Sequence, residues 1–212
     1  MLENDGRKGS VQSLNFRNVP LLLLFTGIVL PLILSTVAGS NSEIEFLRYL
    51  HTHSSPSLDS LAVFITNLGG IKASLIYGAV LALFAASQKD KQATFFIILA
   101  VGGAGMINAL AKLTFHRNRP SAWETLVIEE SYSFPSGHAM ASMAFALTLV
   151  YLMWNCRARV ITIMFCTSYV VVISTTRLYL GVHFPSDILA GWCLSFAWVM
   201  GVRLIVQRIV LH

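Results

Sequence analysis

Long apolar runs with almost no charge leave this chain few ways to fold. Val160–Thr176 and Ile188–Gln207 are each long enough to cross a bilayer. Between them lies Arg177–Asp187, RLYLGVHFPSD, which puts a cation, a histidine and a carboxylate at a membrane boundary. Ionisable groups near lipid are costly, so each needs a partner and points to function. Asp187 follows His183 by four residues, a spacing that brings carboxylate and imidazole together on a turn running into a helix. A carboxylate accepting from one ring nitrogen fixes the tautomer and makes the other nitrogen a better base or nucleophile. Pro185 and Ser186 mark the helix start, because proline fits a first turn and serine caps one.

Composition supports a membrane reading. Charged residues make up 12% of the 212, about half the share of a soluble domain. Mean hydropathy is +0.67. The length suits one domain, residues 19–212, after a polar cytoplasmic segment, residues 1–18. The net charge of +5 would suggest nucleic acid in a soluble protein. Here the cations flank apolar runs, so they read as topology signals and contacts to anionic lipid. No arginine stripe alternates with aromatics, so no nucleic-acid partner is expected. Cys156, Cys166 and Cys193 form no CxxC pair, which implies neither a disulfide framework nor a zinc site.

The fold class expected is all-α: an integral membrane six-helix bundle. The spans are Val19–Gly39, Ile71–Ser87, Gln92–Phe115, Ser136–Trp154, Val160–Leu180 and Ser186–Gln207. The first is read as a retained anchor, although Thr36-Val37-Ala38 resembles a cleavage site. Ser40–Gly70 holds two short interfacial helices, with His51 and His53 in a solvated loop between them. Gly102, Gly103 and Gly105 read as close helix packing rather than a phosphate loop. Lys89, Lys91, Arg157 and Arg159 lie in short loops, which should be cytoplasmic together with both termini. The loops carrying His138 and His183 then face the other, extracytoplasmic side.

Three segments meet on that side. Lys112 ends one span and Arg119-Pro120 opens the next loop; Pro135-Ser136-Gly137-His138 starts the fourth span; Arg177, His183 and Asp187 flank the last turn. A phosphate carries up to two charges, which arginine meets bidentately and lysine as a point charge. Ser136 and Gly137 would offer backbone N–H groups at the positive end of a helix. The inventory suits a phosphate cage with two histidines for the chemistry. His183, with its carboxylate, is the better nucleophile, and His138 the better acid. Glu124, Glu129 and Glu130 read as a solvated loop, with gating of the site or repulsion of anionic competitors as the alternatives.

K-x6-R-P, P-S-G-H and R-x5-H-x3-D, in this order, resemble the three-part signature of the type 2 phosphatidic-acid phosphatase superfamily. The resemblance covers roughly residues 57–207 and implies a six-helix membrane fold and a lipid phosphate substrate. It implies His183 as the nucleophile forming a phosphohistidine, Asp187 as its orienting partner and His138 as the general acid. Lys112, Arg119, Ser136, Gly137 and Arg177 would bind phosphate. Thr176 stands where the family commonly has serine. No cofactor, no metal and no obligate protein partner are expected, since no acidic cluster suggests a two-metal site. A phosphotransferase using the same residues is the alternative; an anion transporter, with charges near the midplane on broken helices, is a remote one.

Overall fold

The computed structural model describes residues 23–37 and 39–210. The polar N-terminal segment, the start of the first apolar run and Ala38 lie outside the described residues.

The described residues form helices and no strand. A π-helical turn, Phe25–Val29, leads into α1 (Leu30–Val37). Next come α2 (Asn41–Thr52), α3 (Pro56–Asn67) and α4 (Ile71–Ser87). Helix α5 (Lys91–Phe115) passes through a π-helical turn at Ile98–Gly102. The last three are α6 (Gly137–Leu152), α7 (Arg159–Tyr179) and α8 (Pro185–Val210).

Three helices are long and apolar enough to cross a membrane alone: α5, α7 and residues 185–208 of α8. Two bent pairs pass the same test, Thr26–Thr36 with α2 at 85° and α3 with α4 at 43°. Helix α6 is apolar but has only 16 residues. The sequence treats α3 as separate from the second span; here a break at residues 68–70 and a 43° bend divide it from α4, and the two pass the span test only together. His51 and His53 lie at the end of α2 rather than in a loop; His51 stacks on Trp123 with centroids 4.3 Å apart.

Lipid offers no hydrophobic drive to bring helices together, so close packing of small side chains must do it. The main core is of that kind: Ala100 and Ala104 of α5, Ala144 of α6, and Val199, Val202 and Val206 of α8 surround Phe96. Gly103 of α5 packs directly against Trp198 of α8, since a Cβ there would lie 2.3 Å from the Trp198 ring. Trp198 Nε1 donates to Leu99 O (3.0 Å) inside the π-helical turn. Gly102 has nothing within 4 Å and Gly105 meets only Ile71, at 3.9 Å, so the packing role falls to Gly103. Large apolar side chains point outward instead: Leu83 and Phe84 of α4, Met106 and Leu110 of α5, Ile161 and Phe165 of α7. Such a surface suits lipid and not water.

Short turns at one end of the bundle, one of them carrying Lys89 and Lys91, force successive helices to run antiparallel. The ends of α5 and α7 and the starts of α6 and α8 therefore gather at the opposite pole.

Candidate active site

Local backbone chemistry sets how these helix ends present their side chains. His116 ends α5 in a left-handed conformation (φ 46°), its N–H donating to Lys112 O. Past the end of α7, Gly181 has φ +69°, and a Cβ there would strike the Trp123 ring at 2.3 Å. Glycine alone lets the chain turn there towards His183.

The start of α8 differs in detail from the sequence expectation. Pro185 opens the helix, but Ser186 is not its cap. The Ser186 N–H and hydroxyl donate to Glu43 of α2 (2.8 and 3.3 Å). The capping is done by Asp187, whose Oδ2 accepts from Phe184 N (2.9 Å), one half of a capping box.

That geometry brings Asp187 to His183, with Nδ1 and Oδ2 3.3 Å apart. Arg119 Nη1 lies 3.2 Å from His183 Nε2. A guanidinium only donates, so Nε2 carries the lone pair and the proton sits on Nδ1, facing Asp187. Burial is the main force on this imidazole and lowers its pKa to about 4; Asp187 opposes this, and Arg177 and Arg119 reinforce it. This shift favours the neutral imidazole at pH 7, with the Nε2 lone pair on the Arg119 side.

Asp187 is fully buried, and protein groups meet both its oxygens. Ser133 donates to Oδ2 and Arg117 Nη1 to Oδ1. Arg117 is itself held in place: Nη2 donates to Leu34 O and Ser35 O at the end of α1 (3.2 and 3.0 Å), and the guanidinium lies 4.2 Å from the Phe134 ring centroid.

The expected cage cations converge beside this pair. Arg177 is 1% exposed; Nη1 donates to Thr66 Oγ1 (3.0 Å), Nη2 pairs with Glu129, and Nε has no partner. Arg119 donates through Nε to Ser131 O (2.8 Å), through Nη1 to Val182 O (2.8 Å) and through Nη2 to Glu129 (3.5 Å). Lys112 Nζ donates to Ser131 Oγ (2.9 Å) and Tyr132 O. Burial raises the Glu129 pKa, but Arg177 and Arg119 outweigh it and hold the carboxyl below its usual range.

His138 stands in the first turn of α6, close to Gly70 at the start of α4, where a Cβ would lie 3.1 Å from its Nε2. Arg177, His183, Arg119 and Lys112 are all near enough for their charges to act on it. Ser136 caps α6, its Oγ accepting from Ala139 N (3.4 Å). Its own N–H donates to Asp187 O (3.1 Å), so that amide ties α6 to α8 and does not face a ligand. The Gly137 and His138 N–H groups have no partner among the described residues. Gly137 packs tightly, a Cβ there meeting Asn108 Oδ1 and Ile71 at 3.1 Å. The Thr176 hydroxyl donates to Ile173 O (2.6 Å) in its own helix and makes no contact with the cage.

The sequence profile of the PAP2 superfamily matches residues 93–210. The chain belongs to the PAP2 superfamily. It is 26% identical over 189 residues to the undecaprenyl-diphosphatase of Sulfolobus acidocaldarius, covering 84% of this chain and 85% of that protein. It is also 26% identical over 188 residues to phosphatidylglycerophosphatase B of Bacillus subtilis, covering 85% and 90%. The crystal structure of the transmembrane PAP2-type phosphatidylglycerolphosphate phosphatase from Bacillus subtilis superposes with a TM-score of 0.78 at 24% identity, over 92% of this chain and 98% of that one. These likenesses agree with an all-helical membrane fold.

Around the PAP2 motifs lie residues the sequence did not single out: Arg117, Ser133, Thr66 and Glu43. Arg117 carried a signal, a second cation two residues before Arg119 beyond the end of a span. Ser133, Thr66 and Glu43 carried none, being ordinary residues of a loop and of helix ends. The solvated reading of the loop acids fits Glu124 and Glu130, which are exposed, but not Glu129, which is inside the cage.

Proposed function

We propose that this protein is a membrane lipid phosphatase that removes a terminal phosphate from a lipid head group through a phosphohistidine on His183. One observation carries the reading: Lys112, Arg119 and Arg177 converge on one loop stretch beside His183, whose Nε2 lies 3.2 Å from Arg119. Three cations in one recess suit a dianionic phosphate, and their charge needs no metal to complement it.

His183 Nε2 attacks phosphorus in line while the bond from phosphorus to the lipid oxygen breaks. Asp187 stabilises the Nδ1–H as the ring gains positive character. His138, which takes up a proton once the dianionic phosphate lies beside it, gives that proton to the departing lipid oxygen. A water molecule, losing a proton to His138, then attacks the phosphohistidine; the P–N bond breaks, inorganic phosphate leaves and His183 returns to its starting state. Lys112, Arg119 and Arg177 neutralise the phosphoryl oxygens, and the free N–H groups of Gly137 and His138 add donors at the start of α6. The site opens on the side of the membrane away from Lys89 and Lys91, the extracytoplasmic side by the distribution of loop charge.

The names of its relatives put undecaprenyl diphosphate and phosphatidylglycerol phosphate first in a substrate panel, followed by phosphatidate. Purified protein should release inorganic phosphate from at least one of them, with chelator present and with no acceptor lipid added. His183→Ala should fall to the background rate. Phosphate release by that variant at the wild-type rate would refute the nucleophile. Transfer to an acceptor lipid without free phosphate would make the protein a phosphotransferase.

A further inference from the structure

Every cage cation donates to one short stretch of the 121–134 loop. Arg177 and Arg119 pair with the two carboxylate oxygens of Glu129. Arg119 and Lys112 share Ser131, through its carbonyl and hydroxyl, and both reach Tyr132 O. Glu129–Tyr132 thus supplies what a phosphate would: negative charge, and oxygens spread over separate cations. The match is incomplete in a telling way. A carboxylate has two oxygens where a phosphate offers three, and Arg177 Nε, buried in the cage, is left without an acceptor. Glu129 is half-buried while Ser131 and Tyr132 are exposed, so the stretch lies over the cations, on the solvent side. The following residue is fixed: Ser133 N–H donates to Arg117 O (2.8 Å) and its hydroxyl to Asp187.

Building on the phosphatase reading above, we propose that Glu129 is a built-in competitor for the phosphate subsite. Glu129–Tyr132 leaves the three cations when a lipid phosphate binds, swinging about the fixed Ser133.

This role differs from that of a recognition residue. Every anion waits for the same opening, so the competitor weakens all of them by one common factor, the inverse of the open fraction. It raises KM and leaves kcat alone, because ground state and transition state both require the segment displaced. A glutamate that merely positioned the arginines would do the opposite, and its removal would weaken anions.

The test uses the full chain in lipid nanodiscs. Inhibition constants for inorganic phosphate and orthovanadate are measured for the wild type, Glu129→Gln and Glu129→Ala, alongside KM and kcat. Both anions should tighten by the same factor, roughly tenfold or more, as expected for loss of charge-assisted hydrogen bonds. KM should fall in parallel and kcat stay within about twofold. Weaker or unchanged binding of either anion, or tightening of one alone, overturns the proposal. Hydrogen exchange on the wild type gives a readout independent of the variants. Amides of residues 129–132 should exchange faster with saturating orthovanadate, and unchanged or slower exchange counts against displacement. A wild-type protein that releases phosphate from no lipid phosphate fails the phosphatase reading first and takes this proposal with it. Activity with unmoved inhibition constants removes the competitor alone.

Discussion

The two halves of the site hold their charges in different ways. Around Asp187 every side-chain partner apart from His183 belongs to the scaffold: Arg117 tied to the end of α1, Ser133 tied to Arg117 O, and the Phe184 amide at the start of α8. None of these has to move for a phosphate to enter. Around the cations, most acceptors come from a partly exposed loop that could be exchanged for phosphate oxygens. Thr66 and Val182 O are the fixed exceptions. On the proposed reading, the nucleophile is organised before the substrate arrives, whereas the phosphate subsite is satisfied by a stand-in. Preorganisation matters most where charge develops in the transition state, and exchangeable partners are tolerable where the ligand brings its own charge.

Breaking the fixed half should have the largest effect. Arg117→Ala leaves Oδ1 of a buried carboxylate without its cation, and one strong charged hydrogen bond is lost, about 1.5–3 kcal/mol. That corresponds to a fall in kcat of roughly tenfold to a hundredfold with little change in KM. Arg117→Lys should recover part of the loss; steady-state kinetics of the two variants distinguish positioning from a general loss of folded protein. A fall in KM-type binding with kcat intact would put Arg117 in the cage instead.

The pH profile sharpens the same contrast. In the proposed mechanism His183 attacks as the neutral imidazole, a form that burial favours by lowering its pKa to about 4. Once the substrate's own phosphate ionisation is divided out, kcat/KM should hold through pH 6.5 and decline only towards pH 4. A decline centred near 6.5 would mean that His183 is not shielded as this geometry requires.

A smaller effect is expected at Gly70, whose φ of −69° alanine can adopt. The added methyl would press on His138 Nε2, so Gly70→Ala should lower kcat several-fold with KM nearly unchanged. Thr176→Ser should change neither constant measurably, because that hydroxyl is engaged within its own helix. A clear effect at Thr176 would mean that it acts on Arg177 next to it.

How much of this was legible in the sequence follows the same division. Lys112, Arg119, His138, Arg177, His183 and Asp187 were readable because each sits at a fixed offset within a helix end or the turn beside it. The four-residue spacing across the capped start of α8 brings Asp187 to His183. The spans formed by α5, α7 and α8 were readable from long apolar runs; α4 passes as a span only together with α3 across a 43° bend, and α6 has only 16 residues. Glu129 and Ser133 were not readable, because a long loop has no period and its partners are chosen only when the chain closes over the site. Ser136 was assigned a free amide, which its sequence neighbours permit, but Asp187 O, brought in by another helix, takes it.

The central claim is that His183 Nε2 forms a covalent bond to phosphorus within the cage. Rapid quenching during turnover of a lipid labelled in its terminal phosphate tests it directly. An acid-labile, base-stable phosphoryl label should be recovered on the peptide that carries His183. Turnover at the full rate with the label on another residue, or with no label on the protein at any time, would contradict it.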